Sequence, residues 1–118
     1  MKLSHEEIGQ WCATFACSGV SEGDVVAASG NSTVSACEAG DVFCGVAAAV
    51  SRTGDACSVQ LGGLVTVSYS GDDVPEIGYN ELVADGDGGV AVAGEDDVGR
   101  EYLVIAVDST AGTAVIKL

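Results

Sequence analysis

Five Gly-Asp dipeptides punctuate the chain at intervals of 17, 14, 17 and 15 residues. Glycine adopts positive φ without steric cost, and an aspartate carboxylate accepts hydrogen bonds from nearby backbone, so each dipeptide is typical of a tight loop. Each interval can hold two short strands and their turn, which leaves little room for helices. The spacing therefore predicts an all-β meander. The dipeptides are Gly23-Asp24, Gly40-Asp41, Gly54-Asp55, Gly71-Asp72 and Gly86-Asp87.

Strict alternation of side chains predicts individual strands between these loops. Every second residue is apolar or aromatic over 57–61 and again over 65–69, with polar residues between them. This period of two is the pattern of a half-buried strand. Gly62-Gly63 separates the two runs, and glycine inside a strand pattern indicates a bulge or a corner. We therefore expect one bent ribbon over 56–69.

The last segment of the chain predicts a second hairpin. Residues 102–107 are apolar on both faces and indicate a central strand, and residues 108–113 have the composition of a hairpin loop. Ala114, Ile116 and Leu118 would form the inward face of the final strand. The C-terminus is therefore expected to be held in a sheet.

The segment 72–99 is rich in Asp, Glu and Gly and holds the only proline. Two interpretations stay open for it: an acidic loop with one hairpin, formed by strands 79–84 and 90–93, or a partly mobile stretch. The turn over 85–89 superficially resembles a calcium loop but lacks the later ligands and the terminal Glu of that motif. A solvated turn is favoured, and weak Ca²⁺ binding within 85–97 stays open.

Residues 1–19 are expected to form an N-terminal arm or first strand ahead of a single all-β domain over 20–118. Ser4 followed by Glu7 matches a capping box, which favours a short helix from Ser4 to Cys12. The alternation that begins at Trp11 favours a strand instead. Helix and strand both remain open for residues 4–11.

The charge balance excludes two classes of partner. The chain has 18 acidic and only 4 basic residues, a net charge of −14. So few cations cannot neutralise several phosphates, and the carboxylates would repel a nucleic-acid backbone or an anionic membrane. We therefore expect no direct nucleic-acid binding and no membrane partner. Carboxylates at Glu6 and Glu7 also argue against an export signal, so synthesis in the bacterial cytoplasm is expected.

Histidine, lysine and cysteine often act in catalysis or ligand binding, but their positions in this chain favour structural roles. We therefore expect no enzyme, no cofactor and no metal site. His5, the only histidine, lies among the first residues, where a catalytic base would be poorly held. The only lysines are terminal, so no exposed hairpin tip carries the lysine of a biotinyl or lipoyl carrier. The cysteine spacings place neighbouring thiols on opposite strand faces rather than in a zinc knuckle. Because their number is odd and the compartment is reducing, the cysteines are expected to be unpaired. They are Cys12, Cys17, Cys37, Cys44 and Cys57.

Five segments of the chain form a pattern that is shared with one protein family. They are 23–26, 39–47, 59–67, 82–90 and 102–108. Together they resemble the small capsid decoration (cement) proteins of tailed phages and prophages, and the opening segment 5–15 is similar to the start of prophage members of that family. The resemblance covers about residues 20–118, and no single motif in it is diagnostic.

This resemblance implies a small β-barrel or β-sandwich with an N-terminal arm, which can include one short helix. It also implies a homotrimer on the virion capsid surface that binds the major capsid protein on the outer face of the assembled shell, stabilises it, and has no catalytic residues. The alternative is an acidic β-domain that serves as a binding module of a phage tail, a fibre or a bacterial adhesin. The contacts are expected in the N-terminal stretch, which contains the only tryptophan and can add to an exposed sheet edge. The expected contact residues are Lys2, Leu3, His5, Trp11 and Phe15. For Trp11 and Phe15 the alternative is that they only cover the open end of a barrel.

Overall fold

The computed structural model of the chain describes residues 10–118, which form ten β-strands and, within that range, no helix. The all-β prediction is confirmed. The strands are β1 (Trp11–Ser18), β2 (Val25–Gly30), β3 (Thr33–Ala36), β4 (Gly45–Val50), β5 (Ala56–Gly62), β6 (Leu64–Ser68), β7 (Gly78–Ala84), β8 (Val90–Val92), β9 (Arg100–Asp108) and β10 (Thr113–Lys117).

The first five strands close into a barrel in the order β1-β3-β2-β4-β5, and the other five form a second sheet in the order β6-β10-β9-β7-β8. In the barrel, β1 pairs parallel with β3 and antiparallel with β5. A parallel bridge between Tyr69 and Val90 brings the chain after β6 beside β8. The sequential order of a meander is therefore wrong, because β3 lies between β1 and β2 and pairs with both of them.

Two apolar cores stabilise this arrangement, and β2 and β4 contribute to both. Val26 and Ala47 point into the barrel, whereas Val25 and Val46, their chain neighbours, pack against the second sheet. Successive residues of a strand point to opposite faces, so these two strands are buried on both sides. The barrel wall therefore also serves as one wall of the second core.

A stacked aromatic pair links the loop before β4 to the second sheet. The rings of Phe43 and Tyr102 lie 4.6 Å apart and nearly parallel, at 6°. The Tyr102 hydroxyl donates a hydrogen bond of 2.8 Å to the backbone carbonyl of Phe43. Burial raises the pKa of Tyr102, and the Arg100 guanidinium, 5.3 Å from the ring centre, partly opposes that rise. Both rings are almost completely buried.

The local predictions are largely confirmed. The glycines of all five Gly-Asp dipeptides have positive φ, between 75° and 98°. The ribbon over 56–69 bends at Gly63, whose φ is +88°, between β5 and β6. The acidic segment contains the hairpin of β7 and β8, and β9 and β10 form the C-terminal hairpin.

The N-terminal expectations fall partly outside the described residues. Residues 11–18 form β1, so the helix alternative is wrong for Trp11 and Cys12. The rest of that alternative, over Ser4 to Gly9, lies outside the described range.

Candidate partner-binding surface

Two of the expected contact residues are described, and the structure places them in different environments. Trp11 is 59% exposed, and its indole lies directly over Gly62 at the end of β5. Phe15 is half-buried and packs against the barrel core. Lys2, Leu3 and His5 lie outside the described residues. Of the two described residues, Trp11 is the more accessible to a partner.

The described chain begins beside an edge strand of the second sheet. The Gln10 side-chain amide donates a hydrogen bond of 3.2 Å to the backbone carbonyl of Leu64, the first residue of β6. The Gln60 amide donates to the same oxygen at 2.9 Å. β6 is the first strand in the order of its sheet, so Gln10 lies beside that edge of the sheet.

One face of the second sheet is apolar and turned away from both cores. Val104 and Ile116 are completely buried, so their strand neighbours point outward. Leu103, Ile105 and Val115 are half-buried and Lys117 is exposed, and none of the four belongs to a core cluster. We call this surface the outer sheet face. It consists of Leu64, Tyr79, Leu103, Ile105, Val115 and Lys117.

The strand register aligns four residues of the outer sheet face in one row. Leu64 is paired with Lys117, Lys117 with Leu103, and Leu103 with Tyr79. With strands about 4.8 Å apart, the row crosses roughly 14 Å of sheet. Tyr79, at one end of the row, is 72% exposed. The outer sheet face is therefore a continuous surface to which four strands contribute.

Sequence reasoning missed this surface, because the sequence carries only part of its signal. Residues 102–107 are apolar on both faces, which indicated a strand buried on both sides. β9 is central in its sheet, but in the described range no helix or second layer covers its outer side. In a chain with little helix, a strand with two apolar faces can indicate a surface that binds a partner.

Carboxylates of the acidic segment 72–99 stabilise turns by accepting hydrogen bonds. Oδ1 of Asp85 accepts hydrogen bonds from the backbone N–H groups of Asp87 at 2.7 Å and Gly89 at 3.0 Å, and Oδ2 accepts one from Ser70 at 2.7 Å. Asp97 accepts a hydrogen bond from the N–H of Gly94 at 2.9 Å. Within residues 10–118, no group of three or more His, Cys, Asp or Glu side chains is arranged to hold a metal ion.

Two open clefts lie along the second sheet, and their walls are mainly acidic or small. Neither is lined by a histidine, cysteine, lysine or arginine of the described chain. The larger, of about 510 Å³, is lined by Asp72, Asp73, Val74, Glu76, Asn80 and Val92. The smaller cleft also contains the Ser70 hydroxyl, which donates a hydrogen bond of 2.7 Å to the Asp85 carboxylate.

All five cysteines are free thiols in different surroundings. Cys12 is exposed, whereas Cys17 and Cys57 are buried in the barrel core. Burial raises the pKa of Cys57, and of half-buried Cys37, from 9.0 to about 11. Cys44 also contributes to the rise at Cys37, and both residues lie in the loop between β3 and β4 rather than on a strand. The spacing argument is therefore wrong for that pair.

We expect Cys12 to react with a maleimide first in the folded protein at pH 8, and the buried thiols only after unfolding. The thiols of Cys37 and Cys57 stay neutral until the pH approaches 11, and their surroundings exclude the reagent. Because the pKa of each thiol is higher in the folded protein than in the unfolded chain, the neutral thiols stabilise the fold fully below pH 9. This contribution to the free energy of unfolding is lost as the pH rises through about 11. Mass spectrometry of timed samples measures the order, and denatured protein should show five reactive thiols. Equal rates at Cys12 and Cys57 in folded protein would contradict this prediction.

No protein-family model matches this chain, and no curated protein matches its sequence. In the described residues, no helix is long and apolar enough to span a membrane. The geometry itself defines an all-β barrel joined to a second sheet, with an exposed tryptophan at the junction and an apolar outer face.

Proposed function

We propose that this protein is a phage or prophage capsid decoration protein that binds the outer face of an assembled shell and stabilises it. The observation that carries the proposal is the exposure of large apolar side chains, Trp11 and Tyr79 above all, on a chain of net charge −14. Exposed apolar surface on a soluble acidic domain is typical of a binding site for another protein. The resemblance of five segments to decoration proteins supports the choice of the shell as that partner.

The charge of the chain suits this location. Eighteen acidic residues keep a protein soluble when many copies are present, and they repel packaged DNA. Binding to the shell must then come from apolar and backbone contacts. The all-β fold provides these contacts without a cofactor, and the proposal assigns no catalytic step to any residue.

The shell contact is proposed for the N-terminal segment together with Trp11. Nine residues precede Gln10, and nine residues reach about 30 Å when extended. An extended segment can add as a strand to a sheet edge of the shell protein, with the exposed indole of Trp11 as an apolar anchor beside it. Each copy that makes this contact would bridge neighbouring shell subunits. The shell would then open only at a higher force or temperature.

Co-sedimentation with expanded empty shells tests this proposal. Wild-type protein is expected to pellet with its own shell, whereas a chain that starts at Gln10 after an initiator methionine is expected to stay in the supernatant. Trp11→Ala should weaken binding by about 2 kcal/mol, roughly thirtyfold, because buried tryptophans dominate interface energies. Val42→Ala, which shortens another exposed apolar side chain, is the matched control and should pellet normally.

Circular dichroism of each variant shows whether the strands remain. A folded wild-type protein that fails to co-sediment with its own shell would overturn the proposal in favour of a tail, fibre or adhesin module. Normal pelleting of the truncated chain would overturn the assignment of the contact to the N-terminal segment.

A further inference from the structure

We infer that Gly62 and Gln60 are positioning residues, which hold the indole of Trp11 against the corner between β5 and β6 so that its exposed side faces the shell. The inference rests on the proposed function for the identity of that partner. It goes further, because it assigns the orientation of the contact residue to two buried residues beneath it. The position of the indole can be measured without any shell.

The first observation is the space above Gly62. Gly62 is buried, and its φ is not positive, so its backbone conformation does not require glycine. A β-carbon there would collide with Nε1 of Trp11 and lie 2.8 Å from Cδ1, and the three atoms nearest to it all belong to the indole. Glycine within a strand often marks such a close approach. The lack of a side chain at Gly62 therefore leaves the room that the indole occupies.

The second observation is a buried amide that holds the corner. Gln60 is 7% exposed, and its Nε2 donates hydrogen bonds to the carbonyls of Gly62 at 3.0 Å and of Leu64 at 2.9 Å. These two carbonyls lie on either side of Gly63, whose φ is +88°. A buried amide without partners is costly, so the two hydrogen bonds stabilise one angle between β5 and β6. They thereby fix the surface against which the indole lies.

The third observation is an irregular register beside Trp11. Trp11 is paired with Gly62, but the next residue, Cys12, is paired with Gln60. Leu61 has no partner in this register, which is the two-against-one arrangement of a β-bulge. Bulges redirect the side chains next to them. This bulge occurs where the indole lies over Gly62 instead of entering the barrel core.

These three features fix a side chain that contributes little to the core. The indole of Trp11 is 59% exposed, so its burial contributes less to folding than that of a core aromatic ring. Its position is nevertheless determined by a glycine, a buried amide and a bulge on two strands. Fixing a side chain before binding reduces the conformational entropy that is lost when the partner binds. The arrangement therefore favours a preorganised contact residue.

Gly62→Ala tests the inference in the absence of a shell. Trp11 is the only tryptophan, so tryptophan fluorescence reports on this position alone. The added β-carbon should displace the indole into solvent, which shifts its emission to longer wavelengths and increases its quenching by acrylamide. Gln60→Met keeps the length of the side chain but removes its amide, and it should change both signals in the same direction. Gly30→Ala, which adds a β-carbon with ordinary contacts to another barrel strand, should change neither.

Co-sedimentation with expanded empty shells tests the consequence for binding. Gly62→Ala should bind the shell about tenfold more weakly than wild-type protein. In a Trp11→Ala chain the same glycine substitution should cause no further loss, because the group that it displaces is already absent. Gly30→Ala should bind normally. Circular dichroism shows whether each variant is folded, and Gln60→Met provides the same comparison if Gly62→Ala does not fold.

Unchanged emission and quenching in the folded variants would overturn the inference, and so would wild-type affinity in a variant whose indole has moved. A further loss of binding when Gly62→Ala is added to Trp11→Ala would show that Gly62 acts independently of the indole, which also overturns it. Failure of the wild-type chain to co-sediment would overturn the proposed function instead. The fluorescence result would then still decide whether Gly62 and Gln60 hold the indole.

Discussion

Phe43→Ala is expected to lower the free energy of unfolding by about 3–5 kcal/mol, the usual cost of removing a buried aromatic ring. Phe43 is 1% exposed and lies in the core between the barrel and the second sheet. The substitution removes the ring stacked on Tyr102 and leaves a cavity that the surrounding strands cannot fill. The hydrogen bond from the Tyr102 hydroxyl is made to a backbone carbonyl, which alanine retains. The total free energy of unfolding of a domain of this size is about 5–15 kcal/mol, so the loss is a large fraction of it.

Urea denaturation followed by circular dichroism measures this change, and the adjacent residue supplies the control. Val42 is 47% exposed, so Val42→Ala should change the free energy of unfolding by no more than about 0.5 kcal/mol. Comparable urea midpoints for Phe43→Ala and Val42→Ala would show that the loop before β4 does not insert Phe43 between the two sheets.

Gly45→Ala is expected to cost about 1–3 kcal/mol or more, because a single added carbon has no space at that position. Gly45 is the first residue of β4, next to β5. A β-carbon there would collide with the backbone carbonyl of Gln60 and lie 2.7 Å from Cγ1 of Val59. Val59 is completely buried, so neither group can move without disturbing the barrel.

Gly30→Ala is the matched control for this substitution, since Gly30 also lies in a barrel strand. A β-carbon at Gly30 would meet only the side chain of Thr33, at ordinary distances of 3.6 Å from Cβ and 3.8 Å from Oγ1. This variant should be close to neutral or slightly more stable, because alanine restricts the unfolded chain. Equal losses in thermal or urea unfolding for the two variants would contradict the tight approach of β4 to β5.

The parts of the fold that follow from local chemistry could be predicted from the sequence. Positive φ at the Gly-Asp glycines and the corner at Gly63 follow from the freedom of a residue without a side chain. Asp108 fixes the C-terminal hairpin, because its Oδ1 accepts hydrogen bonds from the N–H groups of Thr110 and Ala111 at 3.0 and 3.1 Å. These contacts join residues within a few positions of each other, so the sequence alone carries their signal.

The strand order and the candidate surface depend on contacts between distant residues. Nothing near Cys17 in the sequence indicates that β1 pairs parallel with β3, because that pairing follows from closure of the barrel. Leu103 has the same apolar character whether its face is covered by another layer or left open. The outer sheet face could therefore be recognised only once the register of four strands had been established.

Electron microscopy of phage or induced prophage particles, made with and without this protein, tests the central claim most directly. The account predicts additional density at regular lattice positions on the outer surface of the shell, of a size that fits one or more copies of an 11.7 kDa β-domain. That density should vanish from particles that lack the protein, and those particles should open under milder heating. Identical shells in the two preparations, or extra density confined to the tail, would contradict the assignment of this protein to the capsid surface.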